Sequence, residues 1–449
     1  MKTKLSKTEI IEVASMLFGL FFGAGNLIFP VYMGQMAGKN IFVAIVGFLL
    51  TGVGLPLLGV TALGISKSTG LFDMSSKIGK PYALFFTCLL YLTIGPFFAI
   101  PRCASTSFSV GLEQILPEGH VKLYLFIFSL IFFSVALYFS LKPGKILTYV
   151  GKILNPCFLF FLSILLIVAL INPTTSIRSI EATGNYSTDP LFTGILEGYN
   201  TMDVLASLAF GIIVVEVIQG LGIKQAEDIA KNTVISGIFS CLLMALIYTL
   251  IAIVGAQSRG VFETASNGGI ALGQIARYYL SDIGLFILAA TITLACLKTA
   301  IGLITSCAKT FSELFLKGPS YTVWVIIFTI ASFVFSNLGL NTIIAYSLPV
   351  LMFLYPLAIT LILLVIFSKF FHNNRTIYVS TISCTFIGAI LELLRNSPES
   401  IHGIPFIQNT LAFIDQFIPF ASIGLGWIIF SIIGLIIGII INIHRKESV

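Results

Sequence analysis

Charge is the scarcest property of this chain. Asp, Glu, Lys and Arg make up 10% of its 449 residues, against about 25% in an ordinary soluble domain. A water-soluble globular protein is excluded, because there are too few charged groups to cover its surface. Histidine is nearly absent. The four present (His120, His372, His402, His444) lie in connections or near the C-terminus, which argues against a histidine metal site or a buried proton relay. The seven cysteines form no Cys-x-x-Cys pair and lie in or beside apolar stretches, so they read as reduced packing residues. There is no His-Glu-x-x-His, no Gly-x-Ser-x-Gly and no Asp-rich pair. The usual constellations of an enzyme are therefore missing. The net charge of +6 comes from residues scattered over short loops and gives no nucleic-acid surface. The Lys-rich start leads into a full-length apolar run without a cleavage site, so no removable signal is expected.

What the chain has in abundance is apolar sequence: 57% hydrophobic residues and a mean hydropathy of +1.03. It reads as an all-α polytopic membrane protein. Twelve spans fit between the charges, at about 12–37, 41–65, 82–111, 122–141, 149–171, 199–222, 233–255, 282–308, 321–338, 342–367, 376–394 and 419–443. Seventeen of the 25 lysines and arginines fall on the side that holds both termini. Six fall on the other, and Arg102 and Lys298 lie within spans. That bias predicts both termini in the cytoplasm and a location in the cell membrane. The long connections at 172–198 and 256–281 suit either an outer vestibule cover or a solvated linker.

The first span organises the rest. No charge occurs from Val13 to Gly38, yet Gly19, Gly23, Gly25, Asn26 and Pro30 sit near its middle. Glycine and proline weaken a helix and release its backbone groups. At membrane depth released groups are tolerated only against protein, water or a ligand. The stretch is thus a broken helix at a binding site or a glycine-lined packing seam. Span six carries a second anomaly, Asp203-Val-Leu-Ala-Ser-Leu-Ala-Phe-Gly211. Five-plus-five repeats of odd length would make spans 1 and 6 antiparallel partners. Two interrupted spans in matching positions are the best sequence pointer to a transporter site.

Four motifs then resemble one family: Gly-Ala-Gly-Asn-Leu-Ile-Phe-Pro at 23–30, Gly-Pro-Phe-Phe-Ala-Ile-Pro-Arg at 95–102, Ala-Phe-Gly-Ile-Ile-Val-Val-Glu at 209–216 and Ala-Cys-Leu-Lys-Thr-Ala-Ile-Gly-Leu at 295–303. Together they are similar to the branched-chain amino acid:cation symporters, over essentially the whole chain. The resemblance implies the amino acid–polyamine–cation superfamily fold, with 12 transmembrane helices, a 5+5 inverted repeat and discontinuous helices 1 and 6. The repeats would cover residues 1–172 and 173–370, followed by two trailing helices in 371–449. The implied activity is uptake of leucine, isoleucine and valine with sodium or protons. A carrier for another small apolar amino acid, or a sodium-independent carrier, is the alternative. No cofactor is expected beyond a possible sodium ion.

Substrate chemistry then suggests roles. An amino acid carboxylate suits the amides of Ala24, Gly25 and Asn26 at a half-helix N-terminus. Its ammonium suits carbonyls around Gly23 and Leu205–Ser207, helped by the Ser207 hydroxyl. An aliphatic side chain needs a dry pocket, with Phe210 as lid or wall and Thr93 and Ile94 opposite; packing is the plainer role for Phe210. By superfamily analogy, sodium would use carbonyls near Gly19 and Phe22 with hydroxyls on span eight, where Thr299 lies, and Asn26 would serve a second site or cap the half-helix. Two departures stand out. Against the pattern that the resemblance implies, Lys298 stands in place of a Thr and Glu216 in place of an Asn. Either the Lys298 ammonium stands in for sodium with Glu216 as its counter-charge, or Lys298 snorkels or the pair is a structural bridge. Arg102 either gates the outer end by pairing with Asp203 or Glu113, or anchors span three at the interface.

Overall fold

Helix α1 (Lys7–Phe21) starts at a capping box. Ser6 Oγ accepts from Glu9 N, and a Glu9 carboxylate oxygen accepts from Ser6 N at 2.8 Å. In the computed structural model, which describes residues 2–113, 116, 117 and 119–447, the first apolar run breaks after this helix. Phe22 N makes the last bond of the ladder, to Phe18 O at 2.8 Å, and Phe22 turns to ψ 90°. Helix α2 (Gly25–Ala37) then follows and passes through Pro30. The break therefore sits at Phe22–Ala24, upstream of the proline. Asn26 spans it, because its Oδ1 accepts from Gly23 N at 3.1 Å.

The chain continues as α3 (Ile41–Leu49) and α4 (Leu55–Ser66), joined by a π-helical turn, and the short α5 (Leu71–Ser75). Span three is α6 (Lys80–Leu92) and α7 (Ala99–Gly111), and it is also broken: Gly95, before Pro96, has non-helical φ/ψ of −86° and −121°. Then come α8 (Val121–Ser140), α9 (Asn155–Ile171) behind a π-helical stretch at Leu147–Leu154, and the sixth region in three pieces: α10 (Pro190–Tyr199), α11 (Asp203–Ala209) and α12 (Gly211–Gly220). The remaining elements are α13 (Ala226–Ser258), α14 (Gly268–Leu314), α15 (Tyr321–Ser336), α16 (Leu340–Ile366), α17 (Arg375–Arg395), α18 (Glu399–His402), α19 (Pro405–Phe417) and α20 (Trp427–Glu447).

Among the described residues, nine helices are long and apolar enough to cross a membrane, or ten if the bent α10–α12 counts as one. Twelve is not reached for a physical reason. Breaking span one leaves two halves of 15 and 13 residues, and α15 has only 16. A crossing needs about 20. Two predicted boundaries also shift. Residues 268–280, expected in a loop, form the start of α14, capped by Asn267 Oδ1 on Gly269 N and Ile270 N and kinked at Ser281. The last span starts at Trp427 rather than 419.

Part of the glycine pattern serves close packing. A Cβ on Gly34 would lie 2.1 Å from Ala252 O, and one on Gly255 would lie 2.2 Å from Val31 O. Helices α2 and α13 therefore touch backbone to backbone.

Candidate functional site

Three cavities line up along span one. The first is lined by Leu17, Lys67, Ser207, Phe210 and Gln219 among others, on the side of the N-terminal segment. The second is lined by Phe21, Gly23–Asn26, Ile94, Arg102, Cys103, Thr201–Asp203, Ala206 and Thr299. The third is lined by Ile28, Phe29, Tyr32, Glu197, Ser266–Gly269 and Leu340. Span one meets them in that order as its numbering rises. The sixth region meets them in reverse, through Glu197, then Thr201–Ala206, then Ser207–Gln219. The two interrupted helices thus run antiparallel past the same three spaces.

The middle cavity is small, about 30 Å³, room for roughly two waters. Aromatic groups separate it from its neighbours. Towards the first cavity, Phe21 and Phe210 meet with ring centroids 5.9 Å apart. Towards the third, the Arg102 guanidinium lies 5.7 Å from the Phe29 ring centre. Each contact joins a residue lining the middle cavity to one lining its neighbour.

The polar groups of the middle cavity come from distant parts of the chain. Asp203 is buried. Its Oδ1 accepts from Asn26 Nδ2 at 3.0 Å, and its Oδ2 accepts from Asn26 Nδ2 at 2.8 Å and from Tyr248 OH at 2.7 Å. Asn26 Nδ2 also donates to Tyr248 OH. Met202, in the left-handed region at φ 65°, separates α10 from α11 and puts Asp203 at the head of α11. Arg102 is 5% exposed, and its Nη2 donates to Asn200 O at 3.2 Å.

Behind span one lies a second polar cluster. Lys298 is fully buried. Its Nζ donates to Asn155 Oδ1 at 3.0 Å and lies 3.8 Å from the Phe158 ring centre, 5.0 Å from Phe18 and 5.6 Å from Phe22. Asn155 in turn donates to Ser15 Oγ, which donates to Gly151 O. Next to it, Thr299 Oγ1 reaches Gly19 O at 3.5 Å.

Comparison with known proteins now decides the family. Residues 6–445 match the model of a family described as branched-chain amino acid transport protein. The chain belongs to this family. It is 49% identical over 430 residues to the branched-chain amino acid permease BrnQ of Lactobacillus delbrueckii subsp. lactis, covering 96% of each. It is 38% identical over 450 residues to the permease BraB of Bacillus subtilis, covering 100% of this chain and 98% of that one. Its fold is similar to that of Mhp1, a nucleobase-cation-symport-1 transporter, in a closed conformation, with a TM-score of 0.60 at 13% identity over 98% and 93% of the two chains. The relatives are named as permeases, not enzymes.

The branched-chain amino acid transport fold brings together some of the expected site residues and disperses others. Gly23, Ala24, Gly25 and Asn26 line the middle cavity, with Thr299. The ladder of α2 begins with Leu27 N and Ile28 N on Ala24 O, so the amides of Ala24, Gly25 and Asn26 lie ahead of it. Past the end of α1, the Phe22 carbonyl lies beyond the last bond of its ladder. Gly19 also allows close packing, since a Cβ there would meet Val150 at 2.9 Å.

The expectations for span six need correction. The gap facing the cavity is at Asn200–Met202, more than a turn before Ser207. The chain does bend by 43° at Phe210. The carbonyl freed there, Ala209 O, is taken by Tyr91 OH at 2.9 Å and Ser306 Oγ at 2.5 Å, so it holds neighbouring helices rather than a ligand. Ser207 Oγ donates to Val204 O at 2.6 Å and, with Phe210, lines the first cavity. Leu205 and Thr93 are buried, but their neighbours Ala206 and Ile94 border the middle cavity.

Glu216 is not the partner of Lys298. It pairs with Lys309, and the Lys298 ammonium donates instead to the neutral amide Oδ1 of Asn155. Arg102 forms an ion pair with neither Asp203 nor Glu113 among the described residues, and its burial excludes an interfacial anchor. Sequence reading missed Asp203 as a site residue, together with Tyr248, Asn155 and the break in span three. The signal for Asp203 was available: a carboxylate beside an interrupted apolar span is a functional suspect.

Proposed function

We propose that this protein imports leucine, isoleucine and valine by cation symport, holding them in the middle cavity and exposing it to each side in turn. The carrying observation is the line of three cavities along two antiparallel broken helices, with Phe21–Phe210 closing one end and Arg102–Phe29 the other. The bias of Lys and Arg supports cytoplasmic termini, which makes the first cavity the inner one. The reversed order in which the two interrupted regions meet the cavities supports a 5+5 inverted repeat over residues 1–172 and 173–370, with spans 1 and 6 as partners. An apolar pocket separates one methylene from another by only about 1–3 kcal/mol, so the three substrates compete.

For the coupling ion, Lys298 favours protons over sodium. A sodium ion on the Gly19 and Phe22 carbonyls and Thr299 would sit beside an ammonium with no carboxylate partner among the described residues. Two unit charges about 5 Å apart repel by about 3 kcal/mol at an effective dielectric of about 20. The ammonium, held by Asn155 and three ring faces, fills that role without an ion from solution. The test is uptake of radiolabelled leucine and isoleucine into proteoliposomes under separate sodium and proton gradients. Saturable uptake with counterflow is expected, driven by a proton gradient, with Lys298→Thr gaining sodium dependence. Flux that never saturates would indicate a channel. Sodium-driven uptake indifferent to pH would overturn the proton assignment.

A further inference from the structure

The middle cavity holds one buried cation and one buried anion that do not pair. Arg102, on span three, uses Nη2 for the Asn200 carbonyl. Its other N–H groups meet no acceptor among the described residues, although a guanidinium carries five donors. Asp203, three residues after Asn200, is steadied by Asn26 and Tyr248, which are neutral. Both side chains are buried and both border the same space. The turn at Asn200–Met202 lies between their anchoring points.

Burying an unpaired charge is costly unless something completes it. Here the cavity as a whole is neutral, but its two charges are held apart. That pattern complements a molecule that is itself neutral and bipolar. We propose that Arg102 binds the substrate carboxylate and Asp203 binds its ammonium, so that the protein reads the two ends of an α-amino acid with side chains. This goes beyond backbone recognition at the half-helix, and it rests on the transport reading above. The guanidinium fork suits a planar carboxylate. The Asn26 and Tyr248 donors keep the Asp203 carboxylate turned into the cavity while the ammonium adds a further bond. Arg102 also leans on Phe29, so drawing the guanidinium towards a carboxylate would couple filling of the cavity to its outer closure.

The experiment is displacement of radiolabelled leucine from purified full-length protein by two analogues. Leucinamide keeps the ammonium but lacks the carboxylate charge. 4-Methylpentanoate keeps the carboxylate but lacks the ammonium. Each should compete at least about 100-fold more weakly than leucine with the unaltered protein. Arg102→Gln should weaken leucine by about 100-fold and leave leucinamide within threefold, so their ratio collapses. Asp203→Asn should do the same for the ratio of leucine to 4-methylpentanoate. Arg102→Lys, which keeps the charge and loses the fork, should weaken leucine about tenfold and still reject leucinamide. A purely structural role would lower all ligands by one common factor, and that result overturns the proposal. If no variant folds, the unaltered protein still decides, since either analogue competing as well as leucine overturns it. Absence of saturable leucine binding to the unaltered protein would instead strike the transport reading itself.

Discussion

Replacing Phe210 with alanine tests the proposed closure of the middle cavity by Phe21 and Phe210. The Phe210 ring is fully buried and packs against Phe21 at 5.9 Å between centroids. Phe→Ala in a packed core costs about 3–5 kcal/mol of folded stability. Only the part lost on opening bears on the gate, because a perturbation shifts an equilibrium by its difference between two states. An aromatic pair contributes about 0.5–1.5 kcal/mol beyond its area. At about 1 kcal/mol, Phe210→Ala raises the ratio of inward-open to closed protein about fivefold. Cys103 borders the middle cavity and is buried, so it supplies the probe. In a protein keeping Cys103 as its sole cysteine, the rate of maleimide labelling from the inner side should rise about fivefold. Leucine should slow that labelling. The pair Phe21→Ala and Phe210→Ala should be non-additive, since the partners touch. A labelling rate unchanged in a folded variant would refute the assignment of these rings as a barrier.

Three further outcomes follow from particular contacts. Asn155→Leu removes the hydrogen-bond acceptor of the buried Lys298 ammonium and should cost about 1.5–3 kcal/mol, read as a lower melting temperature in detergent; adding Lys298→Met should restore most of it, because removing both partners is milder than orphaning one. Gly34→Ala and Gly255→Ala should abolish folded protein on size-exclusion chromatography, since each Cβ would overlap a carbonyl of the facing helix. Gly220→Ala, with nothing within 4 Å, should be neutral or slightly stabilising. Glu216→Gln breaks the pair with Lys309, whose carboxylate side is 42% exposed; it should cost no more than about 1 kcal/mol and leave the dependence of uptake on the coupling ion unchanged.

Much of the architecture is legible in the sequence because burial in a bilayer is a local property. Hydropathy summed over about 20 residues marks a span whatever its neighbours do, and a helix break announces itself through residues such as Gly23, Gly25 and Asn26. The antiparallel use of spans 1 and 6 followed from their places in the order. The location of the second break did not. Asn200-Thr201-Met202 carries neither glycine nor proline, and the turn there places Met202 in the left-handed region ahead of Asp203, whose partners lie on helices elsewhere.

The amino-acid order alone determined a helical membrane protein of a branched-chain amino acid transport family with an interrupted first helix. Tertiary structure alone decided which charges line the cavity at that break and which partners they have. Asp203 meets Asn26 across 177 positions and Lys298 meets Asn155 across 143. Each residue turns a helix by about 100°, so such meetings depend on how whole helices are rotated and packed, which no local window of sequence contains.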